Sequence, residues 1–181
     1  MSELSKDKIL EYFGEINQKL IEIGKHGEII IAGGAALAVA FNARNSTRDI
    51  DAIFRPSEVM RKIIKNIAEE HGLPEDWLND GVKGFITEKM KREKYLSLSN
   101  LDVYNIDAAG LLAMKLTSAR IYAKDMEDSI FLMKLLDIKE IVDLFDIIAK
   151  YIHPNQQTVS SKYFTITAFS KYKGEMSDVC D

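Results

Sequence analysis

Cysteine is almost missing from this chain: among 181 residues the single one is Cys180, so no disulfide can form within the chain and a reducing compartment is expected. An excess of positive charge is missing too. Lys and Arg number 24 against 28 Asp and Glu, a net charge of −4, so no global field draws the protein to nucleic acid or an anionic membrane. Any polyanion must then be met by a local basic patch, and a nucleotide is easier to accommodate than a long duplex. Long apolar runs are absent as well. The longest stretch without a polar side chain, Ile29 to Phe41, falls short of the roughly 20 residues that span a bilayer and carries Gly33-Gly34 inside it. Met1 to Asp7 lacks the basic head, apolar stretch and small-residue cleavage site of a secretory signal, so export is not expected and the chain reads as cytoplasmic. No internal repeat, low-complexity segment or linker interrupts the chain. His26, His71 and His153 are scattered without metal-ligand spacing and read as surface or capping residues.

What is present is an ordinary globular balance, 46% hydrophobic and 29% charged residues. The length suits one domain over 1–181, organised as a sheet-containing core over about 1–107, a helical part over 108–153 and a tail over 154–181. Ile9, Leu10, Phe13, Ile16 and Leu20 recur at helical spacing, so Ser5 to Ile23 is expected to be an amphipathic helix. Glu28 to Ala32 reads as a buried strand, Ala35 to Phe41 as a helix, and Asp49 to Phe54 as a two-faced strand. Ser57 is expected to cap a helix ending near His71-Gly72. Strands are expected at Phe85 to Thr87, Tyr95 to Leu98 and Leu101 to Ile106, with Glu88 to Lys94 as a turn. Helices follow over Ala108 to Tyr122, Met126 to Leu136 and Ile138 to Ile152, the last stopped by Pro154. Tyr163 to Phe169 fits a late strand and a docking helix equally. Trp77 reads as a packing anchor rather than a base-stacking platform.

The informative constellation is Gly33-Gly34-Ala35 followed by Asp49-Ile50-Asp51. In a strand, alternate side chains share a face, so Asp49 and Asp51 are expected to project together while Ile50 enters the core. Two adjacent carboxylates repel unless a divalent cation lies between them, and such hard oxygens suit Mg²⁺ completed by substrate phosphates. Glycines between a strand and a helix let backbone N–H groups approach an anion, which makes Gly33 and Gly34 a candidate phosphate cradle.

In this order the two motifs resemble the DNA-polymerase-β-like nucleotidyltransferase superfamily, whose signature is a Gly-Gly or Gly-Ser turn followed by Asp-x-Asp. Thr47-Arg-Asp-Ile-Asp51, Trp77-Leu-Asn79, Leu111-Leu-Ala-Met-Lys-Leu116 with Arg120, and Lys124-Asp-x-x-Asp128 resemble the branch that holds abortive-infection (AbiEii-type) nucleotidyltransferase toxins. The resemblance covers Ile29 to Leu136, leaving the N-terminal helix and tail outside. It implies an α+β nucleotidyltransferase fold, a small mixed sheet flanked by helices with a C-terminal helical bundle. It also implies transfer of a nucleoside monophosphate from an NTP to a protein, RNA (tRNA) or small-molecule acceptor, with two Mg²⁺ ions held by Asp49, Asp51 and a third carboxylate. Asp102 is the first candidate for that third position, and Asp107, a natural cap for the next helix, the fallback. Lys115 and Arg120 correspond to the family's triphosphate-neutralising Lys-x4-Arg, the alternative being that they pair with Asp125 and Asp128. Many members carry serine after the glycine where this chain has Ala35, which favours as runner-up a weak or inactive nucleotide-binding or partner-binding module of the same fold. A toxin–antitoxin pair, with an antitoxin as protein partner, is the setting the resemblance suggests.

Overall fold

The computed structural model describes residues 3–118 and 123–177. The chain divides into two compact units, the first formed by 1–86 with 92–106 and the second by 87–91 with 107–181.

The first unit opens with β1 (Leu4–Ser5) and α1 (Lys6–Glu22), whose cap is Ser5: its side chain accepts from the Lys8 backbone N–H at 3.3 Å. β2 (Gly27–Ile31) leads into α2 (Gly33–Val39), β3 (Ser46–Thr47) and β4 (Ile50–Arg55). α3 (Ser57–His71) starts after Pro56 rather than on a Ser57 cap, and ends on Gly72 in the left-handed region. β5 (Leu78–Asn79), β6 (Arg92–Ser97) and β7 (Leu101–Ile106) complete the unit. Five strands form one mixed sheet in the order β5-β4-β2-β7-β6, while β1 and β3 pair separately. β2, central and apolar at Ile29 to Ile31, runs antiparallel to β4 and parallel to β7.

The register sorts the side chains. Ile50, Ala52 and Phe54 of β4 share a face with Ile29 and Ile31 of β2 and with Leu101 and Val103 of β7, and all are buried. A Cβ built on Gly27 of this face would meet Leu20 of α1 and Met60 of α3, so these two helices cover it. The opposite face carries Asp51, Ile53 and Arg55, Glu28 and Ile30, and Asp102 and Tyr104. Trp77 is 1% exposed, and its indole N–H donates to the Ile64 carbonyl at 3.1 Å, which makes it a packing anchor.

Two strand expectations change. Phe85 to Thr87 forms no strand, and Arg92 to Lys94, expected within a turn, are paired in β6 opposite Ile106 to Tyr104. A charged segment can occupy an edge strand because one side of it faces water.

The second unit holds α4 (Ala108–Thr117), α5 (Ala123–Leu135), α6 (Ile141–Tyr151), a short 3-10 turn at Pro154–Gln156 and α7 (Val159–Ser177). α4, almost wholly buried, packs against the other three helices. The tail is a helix. Ser161, Phe164, Thr165, Ala168 and Tyr172 return to one face at helical spacing, and the Thr165 and Thr167 hydroxyls donate to carbonyls four residues back at 2.8 and 2.9 Å. That bonding satisfies the β-branched threonines in helical backbone, and Tyr172 anchors the end by donating to the Ile138 carbonyl at 3.0 Å. No helix among the described residues is long and apolar enough to cross a membrane.

Candidate functional site

The site grows from the end of β2. The Ala32 N–H donates to the Asp51 carbonyl at 2.8 Å, extending the β2–β4 ladder by one bond, and the chain then turns at Gly33 with φ of 56°. A Cβ on Gly33 would lie 2.9 Å from Asp51 Oδ2, so the turn passes directly beside the carboxylate and only glycine fits there without displacing it. Gly34 is crowded from another side: its Cβ would come 2.8 Å from both Arg44 Nη1 and Thr47 Oγ1. One glycine therefore meets a carboxylate, and the next meets a guanidinium and a hydroxyl.

Asp51 itself is half-buried on β4, opposite Asn79 of β5. Asp49 differs from expectation in that β4 begins at Ile50, leaving Asp49 exposed in the bend just before it. The Thr47 hydroxyl donates to the Asp49 carbonyl at 3.2 Å, which gives that bend a side-chain tie. α2 has seven residues and no side-chain cap, so a long helix dipole is not available at the glycine turn.

Asp102 is not brought to this turn. It shares the sheet face of Asp51, but its register partner on β2 is Glu28, which pairs with Arg55 of β4, four residues beyond Asp51. At about 3.3 Å per residue that is about 13 Å along the strands. Its carboxylate is engaged locally: Ser97 Oγ donates to Oδ1, Lys94 Nζ lies 3.1 Å from Oδ1, and His26 Nε2 lies 3.2 Å from Oδ2. The Ser97 hydroxyl, then the Lys94 ammonium, hold its pKa down to about 2 against the opposing effect of burial. Lys94 is raised in turn, chiefly by its hydrogen bond to Asp102.

In the second unit, Asp107 caps α4, accepting from the Gly110 N–H at 3.2 Å through Oδ1 and from the Tyr151 hydroxyl at 3.2 Å through Oδ2. Lys115 takes the pairing alternative: its Nζ lies 2.6 Å from Asp125 Oδ1 and 2.9 Å from Asp128 Oδ2, with all three side chains at most 14% exposed. Arg120 lies outside the described residues. The histidines act as surface and capping groups. His71 meets Glu15 at 2.8 Å, and His153 accepts from the Asn155 N–H at the start of the 3-10 turn. Glu15 and His71, with Glu70, form the trio of metal-competent side chains found among the described residues, exposed for the most part and partly neutralised by Lys19 at 2.6 Å from Glu70.

A family model described as "Nucleotidyltransferase of unknown function (DUF6036)" matches residues 7–176. The chain belongs to this nucleotidyltransferase family. The α+β architecture, with seven helices and a mixed sheet among the described residues, is that of a nucleotidyltransferase fold. The match also corrects the extent of the resemblance, since it takes in α1 and most of α7 as well as the middle of the chain. No curated protein and no solved structure matches the chain.

The donors at the turn suit a hard divalent cation. Asp49 and Asp51 offer carboxylate oxygens, and the absence of a Cβ on Gly33 lets the backbone come up against Asp51. Mg²⁺ is commonly held by one or two carboxylates with substrate phosphates completing the shell. What sequence reading missed is Arg44 and Thr47. The available signal was a cation and a hydroxyl in the short segment between the glycine turn and Asp-x-Asp.

Proposed function

We propose that this protein is a Mg²⁺-dependent nucleotidyltransferase that moves a nucleoside monophosphate from an NTP to an acceptor. The observation that carries the reading is the abutment of Gly33 on Asp51, 2.9 Å from Oδ2 to the glycine's Cβ position, with Asp49 in the bend beside it. An acceptor hydroxyl loses its proton to water as it forms the new O–P bond at the α-phosphate, the bond to the α–β bridging oxygen breaks, and pyrophosphate leaves with that electron pair. The Gly33-Gly34 backbone receives the phosphate tail, and Asp49 and Asp51 would hold Mg²⁺. When bound, the ion supplies charge neutralisation at the phosphate oxygens. Asp102 stands about 13 Å along the strands from Asp51, and Lys115 is enclosed by Asp125 and Asp128, so neither is placed in this machinery.

The acceptor class is a protein, an RNA or a small molecule, and the motif resemblance favours a toxin of a toxin–antitoxin pair in the reducing cytoplasm. The test is Mg²⁺-dependent NTP binding by the full chain and release of pyrophosphate in a screen of acceptors. Both are expected for the wild type and lost for Asp51→Asn. Binding without pyrophosphate across the screen favours a nucleotide-binding module of the same fold, and absence of any nucleotide affinity removes the reading.

A further inference from the structure

Gly34 is the position from which the inference starts. Its missing Cβ leaves room for Arg44 Nη1 and Thr47 Oγ1, each 2.8 Å from where that atom would stand. Two polar groups from a loop have thus been drawn against the backbone of the turn, on Gly34, while Asp51 meets Gly33. We propose that Arg44 is the anion-binding side chain of the nucleotide site and touches the non-bridging oxygens of a triphosphate. This rests on the nucleotidyltransferase reading and deepens it by assigning the group that selects a triphosphate tail.

Three features support the assignment. First, the loop is fixed rather than merely near. The Ala43 N–H donates to the Leu37 carbonyl at 2.8 Å, Lys6 Nζ donates to Asn42 Oδ1 at 2.6 Å, and Ser46 and Thr47 pair with Ser5 and Leu4 across β1 and β3. A cation held this way loses little further freedom on binding, which is what makes a preorganised contact effective. Second, Ala35 is fully buried, so the residue after the glycines packs into the interior and offers no donor at the turn. Of the two side chains set against Gly34, Arg44 carries N–H donors, whereas the one proton of the Thr47 hydroxyl goes to the Asp49 carbonyl at 3.2 Å. Third, guanidinium chemistry matches the ligand. Arg44 is partly exposed and already interacts within the protein, but its planar fork has five N–H donors and suits bidentate phosphate binding. It also supplies positive charge where the chain as a whole carries −4.

The experiment is calorimetric titration of the full chain with inorganic tripolyphosphate and with each of the four common NTPs, all with Mg²⁺, for the wild type, Arg44→Gln, Arg44→Lys and Asp51→Asn. Loss of one charged hydrogen-bonding group predicts binding about 10- to 100-fold weaker in Arg44→Gln, with Arg44→Lys intermediate and thermal unfolding of the variants unchanged. Wild-type affinity in Arg44→Gln, with affinity lost only in Asp51→Asn, overturns the role of Arg44 and leaves the nucleotidyltransferase reading standing. No binding by the wild type removes both. If Arg44→Gln does not fold, phenylglyoxal labelling of the wild-type protein decides: tripolyphosphate with Mg²⁺ is expected to abolish modification at Arg44, mapped by mass spectrometry, and equal labelling with and without it overturns the assignment.

Discussion

Asp51 and Asp102 stand on the same face of one sheet, on strands separated only by β2, yet their surroundings differ completely. Asp51 lies beside a glycine turn so close that a Cβ on Gly33 would stand 2.9 Å from its Oδ2. Asp102 is surrounded by a hydroxyl, an ammonium and an imidazole from its own end of the sheet. Lys115 belongs with Asp102 in this respect, since its ammonium is enclosed by two carboxylates in the helical unit. Asp102 and Lys115 each sit among partners of opposite charge, whereas what sets Asp51 apart is the glycine backbone brought up against its carboxylate.

The sharpest way to break this contrast is at Lys115. Lys115→Met leaves Asp125 and Asp128 buried around an apolar side chain, and removing one partner of a buried pair costs about 3–5 kcal/mol. The midpoint of urea unfolding is expected to fall accordingly, with nucleotide affinity of the remaining folded protein unchanged. A variant of normal stability that has lost NTP affinity would return Lys115 to the nucleotide site. At the glycine turn the effects fall on activity instead. Asp51→Asn keeps the shape and removes the charge, so turnover is expected to drop roughly 10²- to 10³-fold, the scale of losing one electrostatic contact in a transition state. Its unfolding midpoint should stay near wild type. A large loss of stability with little loss of pyrophosphate release would reverse the roles of the two regions.

Gly33→Ala is a smaller perturbation that tests the turn. An L-residue at φ of 56° costs about 1–2 kcal/mol, and the new Cβ would press on Asp51 Oδ2 at 2.9 Å. The expected outcome is a modest fall in thermal stability accompanied by loss of Mg²⁺-dependent nucleotide binding. Retained binding would show that the carboxylate can move aside and that the glycine serves the backbone alone.

These contrasts also explain what could be read from the residues and what could not. Ser5 before an apolar 3.6-residue period, and Ile50 between two aspartates, are local signals, and local signals place α1 and β4 to within a residue or two. The proximity of Gly33 to Asp51 followed from motif order, because a strand, a turn and a neighbouring strand leave few alternatives. Asp102 was chosen by face, and face was right. Its position along the strand depends on register with β2, which no periodicity within Leu101 to Ile106 encodes. Arg44 was invisible for a similar reason, since its meeting with Gly34 depends on how β1 and β3 pin a loop. The tail was ambiguous because β-branched threonines favour strands until their hydroxyls find carbonyls four residues back.

The smallest effect lies at Asp102 itself, and its sign is determined by the direction of the shift. A carboxyl held at about 2 in the folded protein, against the ordinary range near 4 in the unfolded chain, binds fewer protons folded than unfolded. Its contribution is therefore complete above the unfolded value and fades as pH falls from about 4 towards 2. Asp102→Asn should differ little from wild type in turnover at neutral pH and should flatten the acid limb of the stability profile in that window. Carbonyl-carbon NMR titration of the wild type is expected to place this group at about 2. A value near 4 would mean that Ser97 and Lys94 do not hold it, and would remove Asp102 from the set of charges engaged by their neighbours.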